Sequence, residues 1–194
     1  FSQIGMESRM GAVINLTLVR ELGPVLAATM LAGRVGSSMA AELGTMRVTE
    51  QIDALKSMGV NPIHFLVVPR VLAALLLIPV LTLMADFMGI LGGFAYSHYL
   101  LQIDPHQYFE FSSQYVTGYD LLTGIIKSLF FGACIGIVSC YFGFHSQAGA
   151  QGVGNAATAA FVTSFVLILA LDLMIGIGLD KIYFHFNPAG ASLF

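Results

Sequence analysis

Residues 20–70 read RELGPVLAATMLAGRVGSSMAAELGTMRVTEQIDALKSMGVNPIHFLVVPR. An apolar segment carries a charged pair, Arg20-Glu21, at its centre. It runs into a charged stretch of helical periodicity and re-enters apolar sequence at Pro69-Arg70. Outside this stretch the chain is mostly apolar: 57% of its 194 residues are hydrophobic and 10% are charged. A soluble domain averages about 25% charged residues. So little charge cannot cover a globular surface. The predicted fold class is an all-α integral membrane protein, a bundle of four transmembrane helices with a short cytoplasmic helix between the first two.

The first apolar segment, residues 11–33, is long enough to cross a hydrocarbon core of about 30 Å at about 1.5 Å per residue. Pro24 removes the amide that would bond the carbonyl of Arg20, so a kink is expected there. Residues 33–44 are rich in Gly, Ser and Ala, and Ala40-x-x-x-Gly44 is a spacing that lets another helix approach closely. In residues 46–61 the apolar Val48, Ile52, Leu55, Met58 and Gly59 recur at helical spacing, with Arg47, Glu50, Asp53 and Lys56 elsewhere around the axis. This is a short amphipathic helix, with Thr49 as expected N-cap and Gly59, Asn61 and Pro62 as its stop.

The second span is residues 69–98, interrupted by Pro79 and Asp86, with Gly89-x-x-x-Gly93 as a second close-packing face. Residues 99–120 are polar and aromatic. The third span, residues 121–144, carries Lys127 and Gly132-x-x-x-Gly136. After a short loop at 145–155 comes the fourth span, residues 156–179, with Asp172 inside. The first loop holds Arg34, Arg47, Lys56 and Arg70 and the 99–120 loop holds no Lys or Arg, so the first is cytoplasmic and the second faces out. The net charge of -3 says little about a bilayer-embedded chain. Cys134 and Cys140 have neither metal-site nor local-disulfide spacing and are expected as buried thiols. With no Trp, an interfacial belt falls to Tyr96, Tyr99, Tyr108, Tyr115, Tyr119 and Tyr183.

Charges inside a span cost several kcal/mol and by default face a protein interior or a water-filled cavity. Arg20-Glu21 therefore reads as lining a substrate pathway, with Arg20 meeting an anionic headgroup. Helix-to-helix pairing that only holds the bundle is the alternative. Asp86 and Asp172 each sit alone among apolar residues; neighbouring Ser, Tyr or Arg can satisfy them, and a proton-coupled carrier using Glu21, Asp86 and Asp172 is the rival reading. Lys127, near a span end, is expected to snorkel. The acids Glu50 and Asp53 would be repelled by anionic lipid, so the amphipathic helix reads as docking on a protein. No G-x-x-x-x-G-K-[ST] occurs, so this chain carries no phosphate loop. The five His residues have no metal-ligand spacing, and no nucleophile and base stand out; neither catalysis nor a metal site is expected.

E-Q-I-D-A-L-x-x-M-G-V-x-P at residues 50–62, followed by Pro69-Arg70, resembles the coupling loop of the MlaE/YrbE permeases. These are membrane subunits of ABC transporters that move phospholipids. R-E-L-G-P-V at 20–25, A-G-R-V-G-S at 32–37, D-x-x-G-x-x-G-G at 86–93, I-K-S at 126–128 and Leu171-Asp172 resemble the same family. The resemblance covers nearly the whole chain, as one permease domain over residues 1–194. It implies an interfacial helix and a further span before residue 11, five spans in the intact protein, and an N-terminally truncated chain here.

The resemblance further implies a homodimer, a separate ABC ATPase that binds ATP and Mg, a periplasmic MCE-domain protein, and a small cytoplasmic STAS-type subunit. No nucleic acid is expected. The implied location is the bacterial inner membrane, or alternatively the plastid inner envelope. In that frame Glu50, Gln51, Asp53, Leu55, Met58 and Gly59 form the coupling helix, seated in the ATPase. Arg20, Glu21 and Pro24 border the lipid cavity, and Leu18, Leu22 and Val25 offer it apolar wall.

Overall fold

The structure is a computed structural model that describes residues 16–99 and 118–186. Tyr108, Tyr115 and the side chain of Tyr183 fall outside the described part. From Leu18 to Val48 the chain is one helical run of alternating character. A π turn (Leu18–Leu22) leads into α1 (Gly23–Leu31), and a second π turn (Ala32–Gly36) leads into α2 (Ser37–Val48). The short helix between them and the next span is α3 (Gln51–Ser57). A third π turn (Ile63–Val67) opens α4 (Val68–Tyr99), and α5 (Gly118–Phe144) and α6 (Ala150–Phe186) complete the bundle.

The expected kink at Pro24 takes a different form. Proline has no amide hydrogen, and the last amide before it, that of Gly23, bonds the carbonyl of Leu18 five residues back. The widened turn absorbs the missing donor and leaves Pro24 in the first turn of α1, where none is needed. Helix α3 is also shorter than its periodicity implied. Met46 to Val48 complete α2, and Thr49 is the C-cap of α2 rather than the N-cap of α3. Glu50 then reverses the chain with a left-handed φ of 58°.

Among the described residues three helices are long and apolar enough to cross a membrane: Ile63–Tyr99, Gly118–Phe144 and Ala150–Leu179. The other expected crossing, residues 11–33, is not among these three; its described part opens the Leu18–Val48 run, whose two π turns carry Arg20, Glu21 and Arg34. The last span begins at Ala150, so the turn before it is shorter than expected. Among the described residues there is no strand, and the chain is an all-α membrane protein.

Helix α5 packs against α4, α6 and α2. Its glycines explain the closeness. A Cβ at Gly132 would stand 2.8 Å from the carbonyl oxygen of Ala74, and one at Gly136 3.1 Å from the Cα of Val71. At the end that carries α3, Gly143 meets Ala40 and Leu43, and Gly44 meets Ser146. Gly89 of α4 leaves room for the Leu18 side chain, while Gly93 is half-buried. Ala28, Ala32, Ala74, Ile78, Phe131, Ile135 and Ile168 fill the centre. The large apolar residues of α4, such as Leu76, Met84 and Phe87, point outward, as expected where the solvent is lipid.

Candidate functional site

Lys127 on α5 is completely buried. Its Nζ lies 2.6 Å from Glu21 Oε2 on the first π turn and donates to it. It lies 3.0 Å from Asp172 Oδ1 on α6. That second contact is an ion pair by distance without the alignment of a hydrogen bond. Nζ also donates to the carbonyl oxygen of Arg20 at 3.5 Å, a carbonyl freed because Pro24 cannot reach back to it.

The expectation that Lys127 snorkels is overturned. Gly124, one turn earlier, brings α5 so near the π turn that a Cβ there would stand 2.9 Å from the carbonyl oxygen of Val19. This close crossing puts Lys127 between two carboxylates instead of beside lipid. A lysine flanked by Gly124, Ser128 and Gly132 was the available signal, because small residues mark a packed interface with no open path for a long side chain.

Arg20 belongs to the same network. Its Nε is 3.8 Å from Glu21 Oε1 and its Nη1 3.9 Å from Asp120 Oδ1. The site therefore gathers two cations and three carboxylates from three elements, the first π turn, α5 and α6. Its deepest group, Lys127, is shut off, while the Arg20 and Glu21 side chains keep 30% and 43% of their surface exposed. Asp172, expected to sit alone among apolar residues, is paired through Lys127.

Asp86 is buried, and its Oδ1 has no hydrogen-bond partner among the described residues. Its carboxylate lies flat on Gly23, where a Cβ would come within 1.7 Å of Oδ1. Of the expected apolar wall, Leu22 is exposed and Leu18 and Val25 are half-buried. Val25 packs toward the central core, and Pro24 is buried.

The second candidate region is the end of the bundle that carries α3. Ile52 of α3 is buried against Leu43, Leu66 and Cys140, with Leu55 packed beside it. Glu50, Gln51, Asp53, Met58 and Gly59 are exposed, so α3 turns an acidic face outward while its apolar face sits on its own bundle. Leu55, expected to meet a partner, is thus half-buried on this chain. The helix ends as its sequence implied. Gly59 takes a φ of 79°, and the amides of Gly59 and Val60 bond the carbonyls of Lys56 and Leu55, a Schellman closure.

Neighbouring elements are tied to the same body. Arg47 donates to the carbonyl of Phe144, Ser146 donates to that of Gly44, and Arg70 pairs with Glu42 at 2.9 Å. Packed contacts thus join α3 to α2, α4 and α5, and the Leu18–Val48 run continues as one helical stretch from this end to Arg20 and Glu21.

The family model described as "Permease MlaE" matches residues 1–177. A probable ABC transporter permease protein of Rickettsia conorii is 47% identical over 175 residues, 90% of this chain and 68% of that protein. One of Synechocystis is 45% identical over 168 residues, 87% of this chain and 64% of that protein. The protein TRIGALACTOSYLDIACYLGLYCEROL 1, chloroplastic, of Arabidopsis thaliana is 38% identical over 193 residues, which cover 100% of this chain and 53% of the plant protein. A chain with these helices, matched by the family over nearly its whole length, belongs to the MlaE permease family, whose members are transmembrane permease subunits.

Proposed function

We propose that this chain is the permease of an ABC transporter that moves phospholipids between the inner membrane and a periplasmic MCE-domain protein, driven by a separate ATPase. The observation that carries the coupling is α3, an exposed acidic helix locked by Ile52 into the bundle. Glu50 holds a left-handed backbone there, a conformation that non-glycine residues keep mainly where the surroundings impose it and that clusters at functional sites. Glu50 and Asp53 meet the ATPase in this reading, and ATP-driven closure presses α3 against α2 and α4. The movement reaches the π turn at Leu18–Leu22, where an extra residue per turn lets a helix change register. Arg20 then holds or releases the lipid phosphate, with Leu22 exposed beside it to meet an acyl chain.

Two relatives are named as ABC transporter permeases and one is named for trigalactosyldiacylglycerol, a lipid, which supports both halves of the reading. Lys127 speaks against the proton-carrier alternative, since it supplies Glu21 and Asp172 with a fixed counter-charge. A homodimer with two ATPases, an MCE-domain protein and a small STAS-type subunit completes the proposed assembly.

Purification of the intact complex from membranes, with mass spectrometry of the proteins and lipids retained, tests this. An ATPase, an MCE-domain protein and phospholipid are expected together. A chain that comes through alone and moves its substrate on a pH gradient contradicts it.

A further inference from the structure

Arg34 lies in the second π turn and is exposed. Its neighbours fix its depth. Gly33 faces Phe161, which stands 11 residues past the start of α6 at Ala150, about 16 Å along the axis. Gly36 faces Ile135 and Ser139, which precede the end of α5 at Phe144 by 9 and 5 residues, about 14 and 8 Å. Helix α5 has 27 residues and is about 40 Å long, the thickness of a hydrocarbon core with its headgroup layers. Arg34 therefore stands about 8–16 Å inside the end of the bundle that carries α3, where headgroups give way to acyl chains.

A cation at that depth needs a partner, and this chain leaves it none among the described residues. The two carboxylates of the Leu18–Val48 run are occupied: Glu42 by Arg70 at 2.9 Å and Glu21 by Lys127 at 2.6 Å. A second copy packing on this face through a two-fold axis would bring another arginine and no spare acid. On the side away from α3, Met30, Leu26 and Leu22 follow at intervals of four, 77%, 56% and 48% exposed, so they share one face of α1. From Arg34 to Leu22 is 12 residues, about 18 Å of apolar stripe, and Ser38 lies exposed one turn on the other side.

We propose that Arg34 binds the phosphate of a phospholipid from the cytoplasmic leaflet, with one acyl chain lying along Met30 and Leu26. The guanidinium fork suits a phosphate, and Ser38 adds a hydroxyl. The site is a lateral station between the inner leaflet and the Arg20–Glu21 cluster. It rests on the phospholipid-transport reading above.

The test uses the whole transporter, extracted in mild detergent, with retained phospholipid counted by native mass spectrometry. Arg34→Gln is expected to lower occupancy of the lipid held at Arg34 about tenfold, the scale of one charge-assisted contact, with the lipid held at Arg20 retained and the protomers still associated. Arg34→Lys is expected to keep part of it. Should Arg34→Gln fail to assemble, a photo-cross-linker at Ser38 beside the native Arg34 gives the answer, and an adduct of phospholipid mass is expected. Undiminished lipid in Arg34→Gln, or a Ser38 adduct with a second copy of this chain, overturns the site. Wild-type complex that transfers no phospholipid under ATP overturns the transport reading instead, and the two failures are distinct because lipid retention is counted without turnover.

Discussion

Lys127, itself fully buried, has two carboxylates against one ammonium, and Glu21 and Asp172 keep 43% and 20% of their side-chain surface exposed. Removing one partner of a buried ion pair typically costs about 3–5 kcal/mol, because the other charge is left uncompensated. Lys127→Met should therefore lower the thermal stability of the extracted complex sharply. Adding Glu21→Gln and Asp172→Asn to it should restore much of the loss. Thermal unfolding in detergent of the single and triple variants checks this, and a triple variant no better than the single would deny the pairing. Arg20 and Glu21 should separate in the same way. Arg20→Ala should reduce the bound phospholipid by the lipid held at Arg20 while the protomers stay associated, whereas Glu21→Ala, which unpairs Lys127, should damage assembly first. Native mass spectrometry of both variants reads lipid and oligomer together. At this scale the sequence marked Arg20 and Glu21 as charges out of place. It did not mark Lys127 as their partner, because 106 residues separate Glu21 from Lys127 and only the Gly124 crossing joins them. Asp86 was legible as an intramembrane acid, but its contact with Gly23 was not, since that contact depends on the register of two helices.

Elements were legible where periodicity and glycine spacing speak. Gly132-x-x-x-Gly136 stands where α5 meets α4, with backbone atoms of Ala74, Leu75 and Val71 filling the place of the missing side chains. Gly132→Leu and Gly136→Leu should each cost about 1–3 kcal/mol through overpacking, read as a lower melting temperature of the extracted complex. Unchanged melting would place this face against lipid. The boundaries of α3 were less legible. Apolar spacing continues from Val48 to Met58, yet the chain breaks at Thr49 and Glu50, because docking Ile52 on Leu43 and Leu66 requires a reversal that periodicity cannot register. The π turns were hidden for a similar reason. Pro24 announced a missing hydrogen bond, but whether a helix answers with a bend or an extra residue depends on what packs against it.

For the whole molecule, composition and the alternation of apolar and charged stretches were enough to predict an all-α membrane bundle, and three of the spans followed from length. The tie between α3's end of the bundle and α5 was beyond sequence reading, since it depends on Arg47 reaching Phe144 and Ser146 reaching Gly44 across about a hundred residues. That end makes the permease a lever in the proposed mechanism: an ATPase pushes α3, and the Leu18–Val48 helix answers at Arg20 and Glu21. The most direct test reconstitutes the complex in vesicles and follows transfer of a fluorescent phospholipid between the vesicle and the MCE-domain protein. Transfer should require ATP. It should fall to background in the Glu50→Lys, Asp53→Lys double variant, with the chain still inserted in the membrane. Transfer that continues without ATP, or that survives the double reversal at the wild-type rate with the ATPase still bound, would contradict coupling through α3.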